Sequence, residues 1–318
     1  MALVREFAIR FSIGEFRGVH GQIRQIRCNS SSQNRWLKRQ SNDYYTREAK
    51  IRDLRSRAAF KLMEIDDKFR LFAKNGSQRV LDLGFAPGAW SQVAKDRIGF
   101  NGVVLGVDIL PCEPPSGVSS IQANILSKKT HELIRLFFFK HFELNHDDKL
   151  HPDKGYFQHM LEEELTHKED FRTYKEVFTT DTFDDSVAAE QSHKLPIDVI
   201  ISDMYEPWIQ TSGFWNNLTN FPYYRMANTS GLAIRDHYQS IDLGDAALIT
   251  AIDLLKPMGS FVCKLYTGKE DKLFENRLRK VFKKVSRIKP DACRTESKEI
   301  YFVGLGKRAK TNKIDVFS

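Results

Sequence analysis

The sequence predicts an α/β protein: an open, mostly parallel seven-stranded sheet with helices on both faces and the last strand antiparallel. Three observations predict it. Short apolar runs alternate with stretches of helical spacing, as in strands buried on both faces and joined by helical crossovers. The first run leads through a glycine-rich turn, Asp82-Leu83-Gly84-Phe85-Ala86-Pro87-Gly88, into a helix, the opening of an open nucleotide-binding sheet. Four runs stop at a polar residue, Asp108, Asn124, Asp203 and Lys264, which lines chemistry-bearing groups along the carboxyl rim.

The elements follow in order. Leu54, Ala58, Leu62, Ile65 and Phe69 predict one helix over Asp53–Phe69. Arg79–Leu83 is the first strand, Ala89–Arg97 a helix, and Val103–Val107 and Val118–Gln122 the next strands. The span from about Ser127 to Lys194 is rich in charge, His and Phe and weakly periodic, and it reads as a surface insertion. Leu133–Phe142 and Phe157–Leu165 are its helical candidates, and Phe137-Phe138-Phe139 is expected to anchor it or to meet a protein partner. Its histidines His141, His146, His151, His159 and His167 have no zinc-site spacing. Ile197–Ser202 is the fourth strand and Ile241–Leu255 a long helix. Lys256-Pro257-Met258-Gly259 turns the chain into the fifth strand, Ser260–Cys263. Lys272–Phe282 is a helix, Val285–Lys289 a strand, and Glu299–Leu305 the last strand.

Composition bounds the function. The 318 residues are 41% hydrophobic and 28% charged, as in a globular chain. No run of eighteen apolar residues occurs, so no membrane span is expected. The net charge of +8 suits a polyanionic partner. Cys28, Cys112, Cys263 and Cys293 form no CxxC pair, which points to a reducing compartment. Residues 1–42 hold seven arginines and one lysine against Glu6 and Glu15, and Val4, Phe7, Ala8 and Phe11 share one helical face. That is the composition of a mitochondrial targeting segment, with a basic RNA-binding arm as the alternative. Residues 43–307 then form a single domain with the insertion at about 127–194, and residues 308–318 a basic tail.

The turn after the first strand is informative about a ligand. It lacks both GxGxxG and the GK[ST] ending of a phosphate loop. Its small residues admit a ligand close to the backbone, and the helix after Gly88 offers unpaired N–H groups. An adenosyl group with an amino-acid tail fits better than a pyrophosphate. Asp108 stands where a carboxylate accepts ribose hydroxyls, Asp82 near the ligand's ammonium, and Asn124 towards the adenine.

In these motifs the sequence resembles the FtsJ-like family of S-adenosylmethionine-dependent ribosomal-RNA ribose 2'-O-methyltransferases, over roughly residues 36–307 apart from the insertion. Arg55–Leu62 is similar to the family's helix motif before the first strand, and Asp82–Trp90 to its cofactor loop. Ser202-Asp203-Met204, Val262-Cys263-Lys264 and Ser297-Lys298-Glu299-Ile300-Tyr301 are similar to its three later motifs. The resemblance implies a Rossmann-like methyltransferase fold and S-adenosylmethionine as cofactor. The cofactor residues it implies are Asp82, Gly84, Phe85, Ala86, Pro87, Gly88, Ala89, Trp90, Asp108, Ile109, Asn124, Ile125 and Asp203.

The resemblance further implies a catalytic tetrad of Lys61, Asp203, Lys264 and Glu299 and no metal. The chemistry agrees, because a ribose hydroxyl must lose or share its proton while the methyl sulfonium is already activated. Lys264 is read as the base, Asp203 as its orienting partner and the complement of sulfonium charge, and Lys61 and Glu299 as ribose-positioning groups. With the arginine-rich leader, the expected activity is methylation of a uridine ribose in the peptidyl-transferase region of mitochondrial large-subunit RNA, inside a pre-ribosomal particle in the matrix.

Some features depart from the family. Tyr205-Glu206-Pro207 stands where Ala-Pro-Asn is usual after Asp203-Met204, and Asn124 replaces an aspartate. Arg35, Lys38, Arg39, Arg47, Lys50, Arg52, Arg55 and Arg57 are expected to meet RNA phosphates, and Trp36, Tyr44 and Tyr45 either to stack on bases or to pack their helix. The alternatives are a non-catalytic RNA-binding assembly factor or a transfer-RNA or mRNA-cap 2'-O-methyltransferase.

Overall fold

The apolar runs assemble into one sheet with a core on each face. The structure, a computed structural model, describes residues 42–73, 77–146, 195–209 and 226–318. The elements are α1 (Tyr44–Ile51), α2 (Ala58–Phe69), β1 (Arg79–Leu83), α3 (Ala89–Ile98), β2 (Val103–Asp108), β3 (Ser119–Gln122), α4 (Lys128–His146) and β4 (Ile197–Ser202). After them come β5 (Trp208–Ile209), β6 (Met226–Ala227), α5 (Ala233–Leu254), β7 (Leu255–Tyr266), α6 (Asp271–Val281), β8 (Phe282–Ile288), β9 (Glu299–Lys307) and α7 (Lys313–Phe317). The leader to residue 41, with Arg35, Trp36, Lys38 and Arg39, lies outside the described residues, as do the 157–165 segment and His151, His159 and His167. Among the described residues no helix is long and apolar enough to cross a membrane.

Seven strands form one sheet in the order β3-β2-β1-β4-β7-β9-β8, and β5 and β6 form a separate two-stranded ribbon. The pairs from β3 to β7 are parallel, whereas β9 runs antiparallel to both β7 and β8. Side chains alternate between the faces, as strand geometry requires. Leu81, Leu83, Ile200 and Phe261 pack with α4, α5 and α6. Val80, Val199, Ile201 and Val262 pack on the other face with α2 and α3.

Strand direction then places the site. Leu83, Ser202 and Cys263 stand abreast at the carboxyl ends of β1, β4 and β7. Because β9 is antiparallel, Glu299 at its start pairs with Tyr266 at the end of β7, and Tyr301 pairs with Lys264. The first residues of one strand therefore reach the same rim as the last residues of the others.

Five local readings change. The helix expected over Asp53–Phe69 begins only at Ala58, and Asp53–Arg57 connect it to α1, with Asp53 in a left-handed backbone (φ 53°). The long helix before β7 begins at Ala233 rather than Ile241. Its first turns bury Asp236, His237 and Ser240, polar groups that an apolar pattern does not register. Asp236 accepts from Ser230, His237 pairs with the Tyr266 carbonyl, and Ser240 accepts from the Tyr266 N–H. The Lys256–Gly259 turn is a bulge inside β7, where the register with β4 slips between Ile197 and Val199.

The aromatic run is core rather than the anchor of an insertion. Phe137 and Phe138 are buried with α5 on the sheet, each contributing on the order of 2–3 kcal/mol of burial. Helix α4 is thus the ordinary crossover between β3 and β4, and any inserted segment begins after it. The basic tail also docks: α7 buries Val316, and Lys280 donates to the Asp315 carbonyl at 2.7 Å.

Candidate active site

The four rim charges form one continuous chain of contacts. Lys61 reaches across from α2 to Glu299 Oε1 at 2.5 Å. The Tyr301 hydroxyl stands between Glu299 Oε1 and Asp203 Oδ1, the latter at 3.2 Å. Lys264 Nζ donates to the Asp203 carbonyl at 2.6 Å and lies 3.0 Å from Asp203 Oδ1. Ser297 Oγ accepts from the Glu299 N–H. The structure thus brings together all four residues of the expected tetrad and adds Tyr301 as the link.

Burial and neighbours set the proton balance. Burial pushes the Glu299 carboxyl up, but Lys61 and Lys264 outweigh it and hold the group below the usual carboxylate range. Burial pulls Lys264 down, but Asp203 and Glu299 reverse this and hold its ammonium above the ordinary lysine range. Burial, with Asp203 and Glu299 close by, holds the Tyr301 phenol well above its usual range, so it is a neutral donor. In the resting site Lys264 is therefore an ammonium and Glu299 a carboxylate, with the neutral Tyr301 phenol beside them. Lys264 as a free amine is not its resting state.

The turn after β1 makes the second half of the site. Gly84 (φ 73°) and Gly88 (φ 98°) adopt backbones that favour glycine. A Cβ on Gly84 would stand 2.7 Å from Met204 Cγ, and one on Gly88 2.9 Å from Pro115. Phe85 is packed under the turn, against Gly106 of β2. Asp108 accepts the Ala86 and Leu110 N–H groups, both at 2.9 Å, which aims its carboxylate along the turn. Each oxygen keeps a second lone pair for a hydroxyl.

Asp82 is fully buried; Ser91 Oγ donates to its Oδ2 at 2.7 Å, and Oδ1 has no partner among the described residues. Burial, with Asp203 and Asp108 nearby, raises its pKa to about 8 against the Ser91 bond. A buried carboxyl with an orphaned oxygen is costly unless a donor or cation joins it. An adenosyl ligand with an ammonium and a sulfonium fits that need.

The other expected cofactor residues divide. Pro87 and Ala89 continue the turn into α3, with Ala89 buried. Ile109 is exposed beside Asp108, and Ile125 is buried. Asn124 spends its Oδ1 on the Leu126 N–H at 3.0 Å, a turn that leads into α4. Trp90 faces inward: its indole donates to the Ala58 carbonyl at 2.9 Å and its ring packs 5.5 Å from Tyr301. It touches the site through Tyr301.

The basic residues expected to meet RNA also divide. Arg55 donates to the carbonyls of Pro87, Glu113 and Pro114, stapling the turn to the segment after Asp108. Arg57 pairs with Asp43 and with the Ala292 carbonyl, and Arg52 with Glu48. Tyr45 packs on Phe60. Arg52 and Arg55 are exposed but held by these contacts, and Arg47, Lys50 and Tyr44 are the other exposed members. A cavity of about 450 Å³ at Glu299 is lined also by Arg287, Lys289, Glu296, Ser297 and Lys298, a recess with three cations against two carboxylates that the sequence reading missed.

Comparison with known proteins is consistent with this geometry. Residues 54–307 match the family described as FtsJ-like methyltransferase. A Saccharomyces cerevisiae protein, "rRNA methyltransferase 2, mitochondrial", is 66% identical over 92% of this chain and 93% of its own length. Its namesake from Schizosaccharomyces pombe is 34% identical over 86% of this chain and 95% of its own. "Ribosomal RNA large subunit methyltransferase E" of Rickettsia akari is 28% identical over 93% and 99%.

Proposed function

The chain belongs to the FtsJ-like methyltransferase family, and from that premise we propose that it methylates a ribose 2'-hydroxyl of mitochondrial large-subunit ribosomal RNA with S-adenosylmethionine. The names of its relatives support the RNA class and the compartment. The reading extends to a uridine in the peptidyl-transferase region, within a pre-ribosomal particle in the mitochondrial matrix. The observation that carries it is the unbroken contact chain Lys61–Glu299–Tyr301–Asp203–Lys264 beside the glycine turn.

S-adenosylmethionine, when bound, supplies a methyl group on a positively charged sulfur. Asp108 holds the ribose hydroxyls of the adenosyl group, the Gly84–Gly88 backbone lets it approach, and Asp82 answers its positive charge. Lys61, fixed by Glu299, donates to the oxygens of the acceptor ribose and turns the 2'-oxygen towards the methyl. Lys264 is the base. Its resting ammonium must first release a proton to solvent, and the positive sulfur of a bound cofactor would weaken the hold that Asp203 keeps on that proton. The amine would then take the 2'-hydroxyl proton as the 2'-oxygen bonds the methyl carbon, and the electron pair of the broken carbon–sulfur bond would stay on the neutral thioether that leaves. Four coupled groups share this proton, so the observed pKa values belong to the set.

Methyl transfer should be measured on large-subunit particles, free ribosomal RNA, transfer RNA and capped mRNA, with the native protein and Lys264→Ala. The expected result is label on one ribose of large-subunit RNA, lost in the variant. Label on transfer RNA or cap alone overturns the substrate. Cofactor binding with no transfer to any RNA favours a non-catalytic assembly factor.

A further inference from the structure

Three groups wall in the Lys264 ammonium. Two come from Asp203, its carbonyl at 2.6 Å and its carboxylate at 3.0 Å. The third is the ring of Tyr205, with its centroid 5.0 Å from Nζ. The stem rises from β7 with its side chain only 3% exposed, so the ammonium cannot swing out to solvent without passing these groups. Glu299 on β9 also acts on Lys264, and Tyr301 is its cross-strand partner; Lys61 acts with Glu299 and Asp203 on Tyr266 of the same strand, and Asp108 on β2 acts on Tyr205.

An ammonium carries three protons in a tetrahedral fan. Asp203 takes those on one side. The aromatic face covers another side, where its negative quadrupole favours a cation and its bulk keeps water away. Tyr205 follows Asp203 by two residues, so the loop that delivers the carboxylate also delivers the ring. An alanine at position 205 would leave that side of the ammonium open.

We propose that Tyr205 is a positioning residue for methyl transfer: its ring face holds the Lys264 ammonium in the tetrad and excludes water from it. The aromatic face, not the hydroxyl, performs this task. The proposal rests on the reading of Lys264 as a member of the reacting set.

Competitive labelling of lysines with trace acetic anhydride tests it on the folded, cofactor-free chain. The Lys264 peptide is followed by mass spectrometry from pH 8 to 12, in the native protein, Tyr205→Leu and Tyr205→Phe. Loss of the ring should lower the Lys264 labelling midpoint by roughly 0.4–1.5 pH units in Tyr205→Leu. Tyr205→Phe should keep the native midpoint. A native midpoint in Tyr205→Leu, or an equal fall in Tyr205→Phe, overturns the proposal. The pH dependence of kcat separates it from the reading beneath. A labelling shift with a matching shift of the kcat profile supports both. A labelling shift without one supports the ring's role and removes Lys264 from the rate-determining proton transfer.

Discussion

Lys61 and Glu299 stand 238 positions apart in the chain and meet at 2.5 Å on the rim of the sheet. Their side chains are 13% and 11% exposed, so neither charge is well solvated without the other. Removing one partner of such a pair costs roughly 3–5 kcal/mol, because the survivor is left buried and uncompensated. Lys61→Met and Glu299→Gln should each lower stability in a denaturant titration by an amount at the lower end of that range, since Tyr301 still answers Glu299. The double variant should recover much of the loss. Methyl transfer should fall by about 10²–10⁴-fold in all three. Activity that returns with stability in the double variant would reduce the pair to a structural brace.

The same carboxylate gives stability a pH dependence. The folded pKa of Glu299 lies below its ordinary value because Lys61 and Lys264 outweigh burial. The folded state therefore binds fewer protons than the unfolded chain, and stability rises with pH. The contribution is complete above the ordinary glutamate value of 4.5 and is lost as pH falls through the folded value. Glu299→Gln should flatten the acid limb of a plot of melting temperature against pH, and an unchanged limb would mean that other carboxylates dominate it.

Asp82 has the opposite sign. Burial raises its pKa to about 8, so between the ordinary value of 3.8 and about 8 the folded chain holds a proton that the unfolded chain has lost. Stability from this group is present at low pH and declines as pH rises through that window. A cationic ligand favours the ionised form and should expel the proton. Calorimetry of S-adenosylmethionine binding at pH 7, in buffers of different ionisation enthalpy, should show up to one proton released. The release should vanish in Asp82→Asn. Buffer-independent heats in the native protein would mean that Asp82 is already ionised or never meets the cation.

The strands of the parallel half were legible because they are buried on both faces, and so read as plain apolar runs such as Val199-Ile200-Ile201. The four charged residues expected to act together were legible only through the family's motifs, and the antiparallel run of β9 gathers them into one cluster. Polar partnership was not legible. Tyr301 reads as a core aromatic, although its spacing of two from Glu299 on a strand puts both on one face. Arg55 reads as a phosphate ligand because its partners are backbone carbonyls, which every residue carries. Phe137 and Phe138 sit in a charge-rich stretch whose polar face masks a core-facing stripe.

The contrast between Arg55 and Lys298 yields a last prediction. Both are exposed cations near the site, but Arg55 is committed to the Pro87, Glu113 and Pro114 carbonyls, whereas Lys298 stands on the wall of the cationic recess beside Glu299. A cation that neutralises an RNA phosphate releases a counterion, and each such contact adds about 0.7–0.9 to the slope of log affinity against log salt. Lys298→Ala should therefore weaken RNA binding and reduce that slope by roughly one contact, with S-adenosylmethionine affinity unaltered. Arg55→Met should do the reverse. It should leave the salt slope at its native value and weaken cofactor binding by roughly tenfold, about 1.4 kcal/mol, because the glycine turn loses its staple to the segment after Asp108. A salt slope that falls in Arg55→Met would return this arginine to the RNA-facing surface. An unchanged slope in Lys298→Ala would show that the strand takes another path past Glu299.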